Sequence, residues 1–131
     1  MLHTDLPSDI HSKAYVSPGA GEFAWRRSDV ADAAEALAAN GFAILGGEAW
    51  VVLRLDGSWS GLIPNAAGGP DEVWSWDTNP RSSEESWEAY CLRTAAESLD
   101  VLSRMTVEEQ CSASVRDHLW FNLTWTSRHE V

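Results

Sequence analysis

The alternation of apolar and polar positions is clearest between Gly41 and Asp56, where Phe42-Ala43-Ile44-Leu45 and Trp50-Val51-Val52-Leu53-Arg54-Leu55 flank Gly46-Gly47-Glu48-Ala49. β-branched and aromatic side chains suit a pleated, half-buried surface. The pattern predicts two short strands, Phe42–Leu45 and Trp50–Leu55, hinged at the Gly-Gly pair and closed by an Asp56-Gly57 turn. Upstream, Val30, Ala33, Ala34, Leu37 and Ala38 recur at helical spacing. Ser28 is placed to cap that helix, Asp29 and Asp32 suit its positive end, and Asn40-Gly41 supplies a left-handed stop. Downstream, Ser82-Ser83-Glu84-Glu85 has the form of a capping box and opens a predicted helix from Ser83 to Met105. Its apolar stripe is Trp87, Cys91, Ala95, Ser98, Leu102 and Met105. Further strands are expected at Ser58–Ile63, Asp71–Asp77 and Leu119–Trp125, with a short helix from Thr106 towards Val115.

These elements imply an α+β fold with two main helices packed on a small, mostly antiparallel sheet. Residues 1–21, with Pro7, Pro18, Gly19 and Gly21 and little periodicity, read as a flexible arm with one short ordered piece near Ala14–Val16. Residues 22–131 read as a single domain, and 131 residues can bury a core without staples. Pro64–Pro70 reads as a loop, and no following Lys-Ser or Lys-Thr gives it a phosphate-cradling character.

Composition changes the picture in two ways. The formal net charge is −11, with Lys13 the only lysine, and 8 Trp stand against 3 Phe and 2 Tyr. Binding a phosphate backbone requires clustered Lys and Arg, so nucleic acid is not the expected partner; a basic protein surface is. Cys91 and Cys111, without a basic and apolar leader, imply free thiols in a reducing compartment. No apolar run is long enough for a membrane span, and the expected location is the cytoplasm. His3 and His11 lack carboxylate or thiol companions at ligand spacing, and His118 lacks a nucleophile, so neither a metal, a cofactor nor a catalytic residue is expected.

Charge and indoles concentrate together. Asp71, Glu72, Asp77, Glu84, Glu85 and Glu88 face only Arg81 within 18 residues, a local charge of −5, and Trp74, Trp76 and Trp87 share the window. Trp anchors ringed by carboxylates suit a protein–protein contact, with Trp87 the member best placed to be core. Glu48, just past the Gly-Gly pair, would be displayed. The expected contact residues are Glu48, Trp74, Trp76, Asp77, Glu84, Glu85 and Glu88. Trp faces and paired carboxylates also fit a carbohydrate-binding or glycan-processing domain, and that reading stays open.

The segment from Asn40-Gly41 through Phe42-Ala43-Ile44-Leu45-Gly46-Gly47-Glu48, followed by Trp74-Ser75-Trp76-Asp77 and Glu85-Ser86-Trp87-Glu88-Ala89-Tyr90, resembles the bacterial immunity protein 40 family of polymorphic toxin systems. The resemblance covers roughly Ser28 to Leu102, with Glu48 where the family pattern has Asp. It implies a cytoplasmic, non-enzymatic inhibitor that occludes a cognate toxin domain, often a nuclease, whose groove would be basic.

Overall fold

A computed structural model describes residues 6–17, 21–54, 59–62, 75–110 and 116–130. The architecture is α+β. In chain order it runs α1 (Ser8–Ser12), β1 (Tyr15–Val16), β2 (Phe23–Trp25), α2 (Arg27–Ala39), β3 (Phe42–Arg54), β4 (Trp59–Leu62), β5 (Ser75–Asp77), α3 (Trp87–Arg104), α4 (Val107–Gln110) and β6 (Leu119–Ser127), closing on a 3-10 turn at Arg128–Glu130. The sheet order is β1-β2-β6-β3-β4, and β5 also pairs with β3. Every described pairing is antiparallel.

The central ribbon differs from the expectation. β3 is one strand of 13 residues, and the glycines do not separate two strands. Its pairing with β6 runs from Phe42↔Ser127 to Val51↔Leu119, with a register shift between Ile44 and Gly46. One extra residue in a strand re-phases everything beyond it, because side chains alternate with period two. Phe42 and Ile44 therefore share the main core with Ala49 and Val51, while Leu45 is left 43% exposed. Beyond the bulge, Trp50 and Val52 point to the other sheet face, where they form a second buried cluster with Tyr15, Ala24 and Trp120.

β5 explains the glycines. Trp76 is opposite Gly47, and a Cβ on Gly47 would come within 2.5 and 2.7 Å of the Trp76 indole and collide with the Asn122 carbonyl. The bare backbone lets the indole lie across β3. The far end of the ring is held as well, since Trp76 Nε1 donates to Ser98 Oγ at 3.1 Å. Trp76, expected on the contact surface, is thus a core residue with 9% exposure. The alternation that would have shown which face it occupies is broken by the bulge on its partner strand.

Both main helices cover one face of the sheet. α2 buries Val30, Ala33, Ala34 and Leu37, and the small alanines permit close approach to the strands. It begins one residue before Ser28: Asp29 and Val30 N–H groups both donate to Arg26 O at 2.9 Å, so the first turn forms around Arg26 without a side-chain cap. It ends as predicted, on Asn40 and Gly41 with φ 85°.

α3 buries the predicted stripe, with Tyr90 and Thr94 also interior. Its start lies four residues later than expected, at Trp87, with Ser86 Oγ accepting from the Ala89 N–H at 3.1 Å. The Ser82–Glu85 pattern forms a separate turn, because the Glu85 carboxylate is bound by Arg93 at 2.7 Å and the Trp87 indole donates to Gly41 O at 2.8 Å. Thr94 Oγ1 accepts from the Ile44 N–H at 3.0 Å, covering the part of the β3 edge that β5 does not reach.

The expected arm carries structure. β1 pairs Tyr15 with Ala24 and Val16 with Phe23, and Leu6 and Ile10 enter the main core. The Trp25 indole donates to Ile10 O at 3.0 Å. Isolated apolar residues such as these carry no periodicity, so only the tertiary partner reveals them. Ser127 ends β6 opposite Phe42. The Asp56-Gly57 turn, the Pro64–Pro70 loop, Trp74, His3 and Cys111 lie outside the described residues.

The two glycine roles separate experimentally. Gly47→Ala should destabilise the fold by about 2 kcal/mol, the usual scale of overpacking. Gly41→Ala, whose Cβ would meet nothing within 4 Å, should cost only about 1 kcal/mol of backbone strain. Urea denaturation of both variants measures the difference.

Candidate functional site

Two concavities border the described residues, and their electrostatics differ. The first, about 470 Å³, is lined by Arg26, Arg27, Ser28, Glu108, Arg116, Asp117, Leu119 and Phe121. Its cations are engaged within the protein. Arg27 grips both Glu108 oxygens at 2.8 and 2.7 Å and also donates to Leu102 O and Met105 O. Arg26 donates to Asp117 O and Leu119 O and lies 4.4 Å from the Trp120 ring centroid. Arg116 donates to Glu108 O at 3.1 Å. This is an internal clamp that ties α4 and the start of β6 to α2. Burial pushes the Glu108 carboxyl up, but the Arg27 hydrogen bonds, a backbone hydrogen bond and the charges of Arg27 and Arg116 together outweigh it, and the net shift is downward.

The second concavity, about 250 Å³, opens on the sheet face away from α2 and α3. It is lined by Glu22, Gly46, Gly47, Glu48, Ser75, Trp76, Asp77, Asn122 and Thr124. The strand register explains its shape. Asp77, Gly46 and Thr124 form one cross-strand row, and Ser75, Glu48 and Asn122 form the next. Residues directly opposite one another, and their neighbours two along, present side chains to the same face. Gly46 contributes none. The hollow lies over its bare backbone, rimmed by Asp77, Glu48 and Thr124, with Glu22 two residues before Ala24 on β2. A Cβ at Gly46 would stand 3.3 Å from Asp77 Oδ1.

No described residue forms an ion pair with the carboxylates here. Glu48 Oε1 accepts from the Trp50 indole at 2.8 Å, which orients it but leaves its charge. Five acids elsewhere have cationic partners. Arg93 binds Glu85 and Glu97, Arg27 binds Glu108, Arg104 binds Asp100, and Lys13 is 3.9 Å from Asp29. Among the described residues, no Lys, Arg or His lies within salt-bridge distance of Glu22, Glu48 or Asp77.

The expected contact residues therefore divide. Glu48 and Asp77 are brought together on the rim of the hollow, Glu48 half-buried and Asp77 exposed. Glu84 and Glu88 are exposed at the approach to α3 but do not line the hollow. Glu85 is withdrawn from the surface contact that was expected of it. Hydrogen bonds from Arg93 hold its carboxyl below the usual range, against the smaller opposing effect of burial. Trp76 closes the hollow from beneath, and Trp87, like Trp25, Trp50, Trp120 and Trp125, is buried. Every indole whose burial is described is interior. Burial also raises the Cys91 thiol, with Glu88 adding to the effect.

Glu22, Asn122 and Thr124 were not singled out from sequence. Glu22 precedes a three-residue strand, and Asn122 interrupts an apolar run. A buried Asn within such a run is the one signal that could have marked the position, because it must be satisfied or face something polar. No protein-family model, no curated protein and no solved structure matches the chain.

The Arg27–Glu108 clamp has a defined pH signature. Its carboxyl is depressed in the folded state, so its stabilisation is present above the unfolded carboxylate range and is lost as pH falls through the folded value. Glu108→Gln should be less stable than the parent protein at neutral pH, and the two should converge below about pH 4. Urea midpoints across that range check it.

Proposed function

We propose that this chain is a non-enzymatic immunity protein that binds a cognate bacterial toxin domain and neutralises it by occlusion. The observation that carries this reading is the hollow over Gly46, where Glu22, Glu48 and Asp77 present carboxylates for which no described residue supplies an ion-pair partner. In a chain of net charge −11, such a feature favours a cationic protein surface. Desolvating three neighbouring carboxylates is unfavourable unless positive charge arrives with the partner.

Glu48 and Asp77 form the centre of the proposed contact, and Glu84 and Glu88 extend its negative field. Trp76 acts from below as support, Glu85 through its grip on Arg93, and Trp74 completes the proposed set. The resemblance of Gly41–Glu48 and Glu85–Tyr90 to the immunity protein 40 family supports the same reading, and with it a cytoplasmic location. A toxin that acts on nucleic acid would offer the required basic groove. Among the described residues no helix is long and apolar enough to cross a membrane. The carbohydrate reading draws no support from Trp25, Trp50, Trp76, Trp87, Trp120 and Trp125, which are buried.

Co-expression with the product of a neighbouring toxin-like gene should restore growth that the toxin alone arrests. The double variant Glu48→Lys with Asp77→Lys should abolish rescue while remaining folded by circular dichroism. Glu84→Lys with Glu88→Lys should slow association and flatten its salt dependence, as expected of charges that steer encounter. Full rescue by the first pair would remove the hollow from the mechanism.

A further inference from the structure

We infer that the hollow over Gly46 is a receptacle for a single arginine side chain of the partner, its guanidinium lying flat on the glycine backbone between Asp77, Glu48 and Asn122. This deepens the reading of the chain as a binder of a basic protein surface and rests on it.

Three features select the ligand. The first is size: about 250 Å³ is below the roughly 300–1,000 Å³ of small-molecule pockets and suits one side chain. The second is the arrangement of acceptors. Asp77 comes from β5, Glu48 from β3, Thr124 and Asn122 from β6, so oxygens surround the hollow from both sides of a flat sheet surface. A planar fork with five N–H donors matches acceptors spread in a plane, whereas an ammonium is a compact point charge with no need of a flat floor. Gly46, which carries no side chain, lies on that floor.

The third feature is independent of the acidic residues. Asn122 is 2% exposed, and its Nδ2 is engaged, donating to Phe23 O at 2.8 Å. Its Oδ1 accepts no hydrogen bond from the protein among the described residues, and the side chain borders the hollow. A donor entering the hollow would replace water at this oxygen. With Nδ2 anchored to the Phe23 carbonyl, the amide is oriented as an acceptor towards the ligand. A divalent cation fits less well, because no three His, Cys, Asp or Glu side chains among the described residues converge as metal ligands do.

The test is an amide-detected NMR titration of the full chain at low salt with N-acetylarginine amide, N-acetyllysine amide and magnesium chloride in parallel. The arginine derivative should produce saturable shifts centred on Gly46, Gly47, Glu48, Asp77 and Asn122. The lysine derivative should bind about tenfold more weakly, the equivalent of one charge-assisted hydrogen bond. Asp77→Asn, a near-isosteric change at an exposed position, should weaken arginine binding by a similar factor while leaving the remaining spectrum in place. Equal binding of lysine, displacement by magnesium at the same amides, or shifts spread over the whole acidic surface would each overturn the inference. Loss of the arginine site with growth rescue intact would refute the receptacle alone. An arginine site with no rescue by any neighbouring toxin would instead refute the immunity reading.

Discussion

The approach of the Trp76 indole to the bare backbone of Gly47 is the constraint on which the other features depend. It requires glycine on β3, a strand crossing at Gly46–Glu48, and a hydroxyl on α3 to accept the indole N–H. Ser98 supplies that hydroxyl, so one side chain connects β3, β5 and the longer main helix. Thr94 and Thr78 complete the same junction by satisfying backbone groups of Ile44 and Leu45 beside the bulge. Buried polar groups are tolerated there because each has a partner. The bulge then allows Ile44 and Ala49, five residues apart, to face one core, and leaves Glu48 pointing to the other side.

Charge is distributed by the same framework. The arginines are spent on internal structure: Arg27 on α4, Arg93 on the turn before α3, Arg26 on the chain entering β6. With few cations left, the excess negative charge remains where no arginine reaches. The open sheet face beside Gly46 is such a place, and it is concave. An exposed carboxylate in bulk water attracts a partner only modestly, but carboxylates around a low-dielectric hollow focus their field. A protein of this composition can therefore be stable through local ion pairs and still present a strongly negative recess.

The candidate site is legible in the chain where its chemistry is contiguous and hidden where it is not. Glu48 and Asp77 were both chosen for charge, 29 positions apart, yet nothing in their spacing says that β5 docks against the glycines. Glu85 looked like its neighbours Glu84 and Glu88, but an arginine two helical turns away claims it. Trp76 carried the signature of an interface anchor, and the same size and polar handle that suit an anchor also suit a residue bridging strand and helix. Asn122 and Glu22 escaped notice because their value comes from the strands placed beside them.

The order of amino acids by itself determined the class of fold, the apolar stripes of both main helices, the Asn40-Gly41 stop, the last strand and the unbalanced charge. These are local properties, set by side-chain periodicity and backbone preference within a few residues. Only the tertiary structure decided that Phe42–Arg54 is one bulged strand, that Leu6 and Ile10 join the core, which of the described indoles are interior and which of the described acids are ion-paired. Those outcomes depend on contacts between residues far apart in the chain, where packing shape and the reach of each arginine, and not local pattern, carry the information.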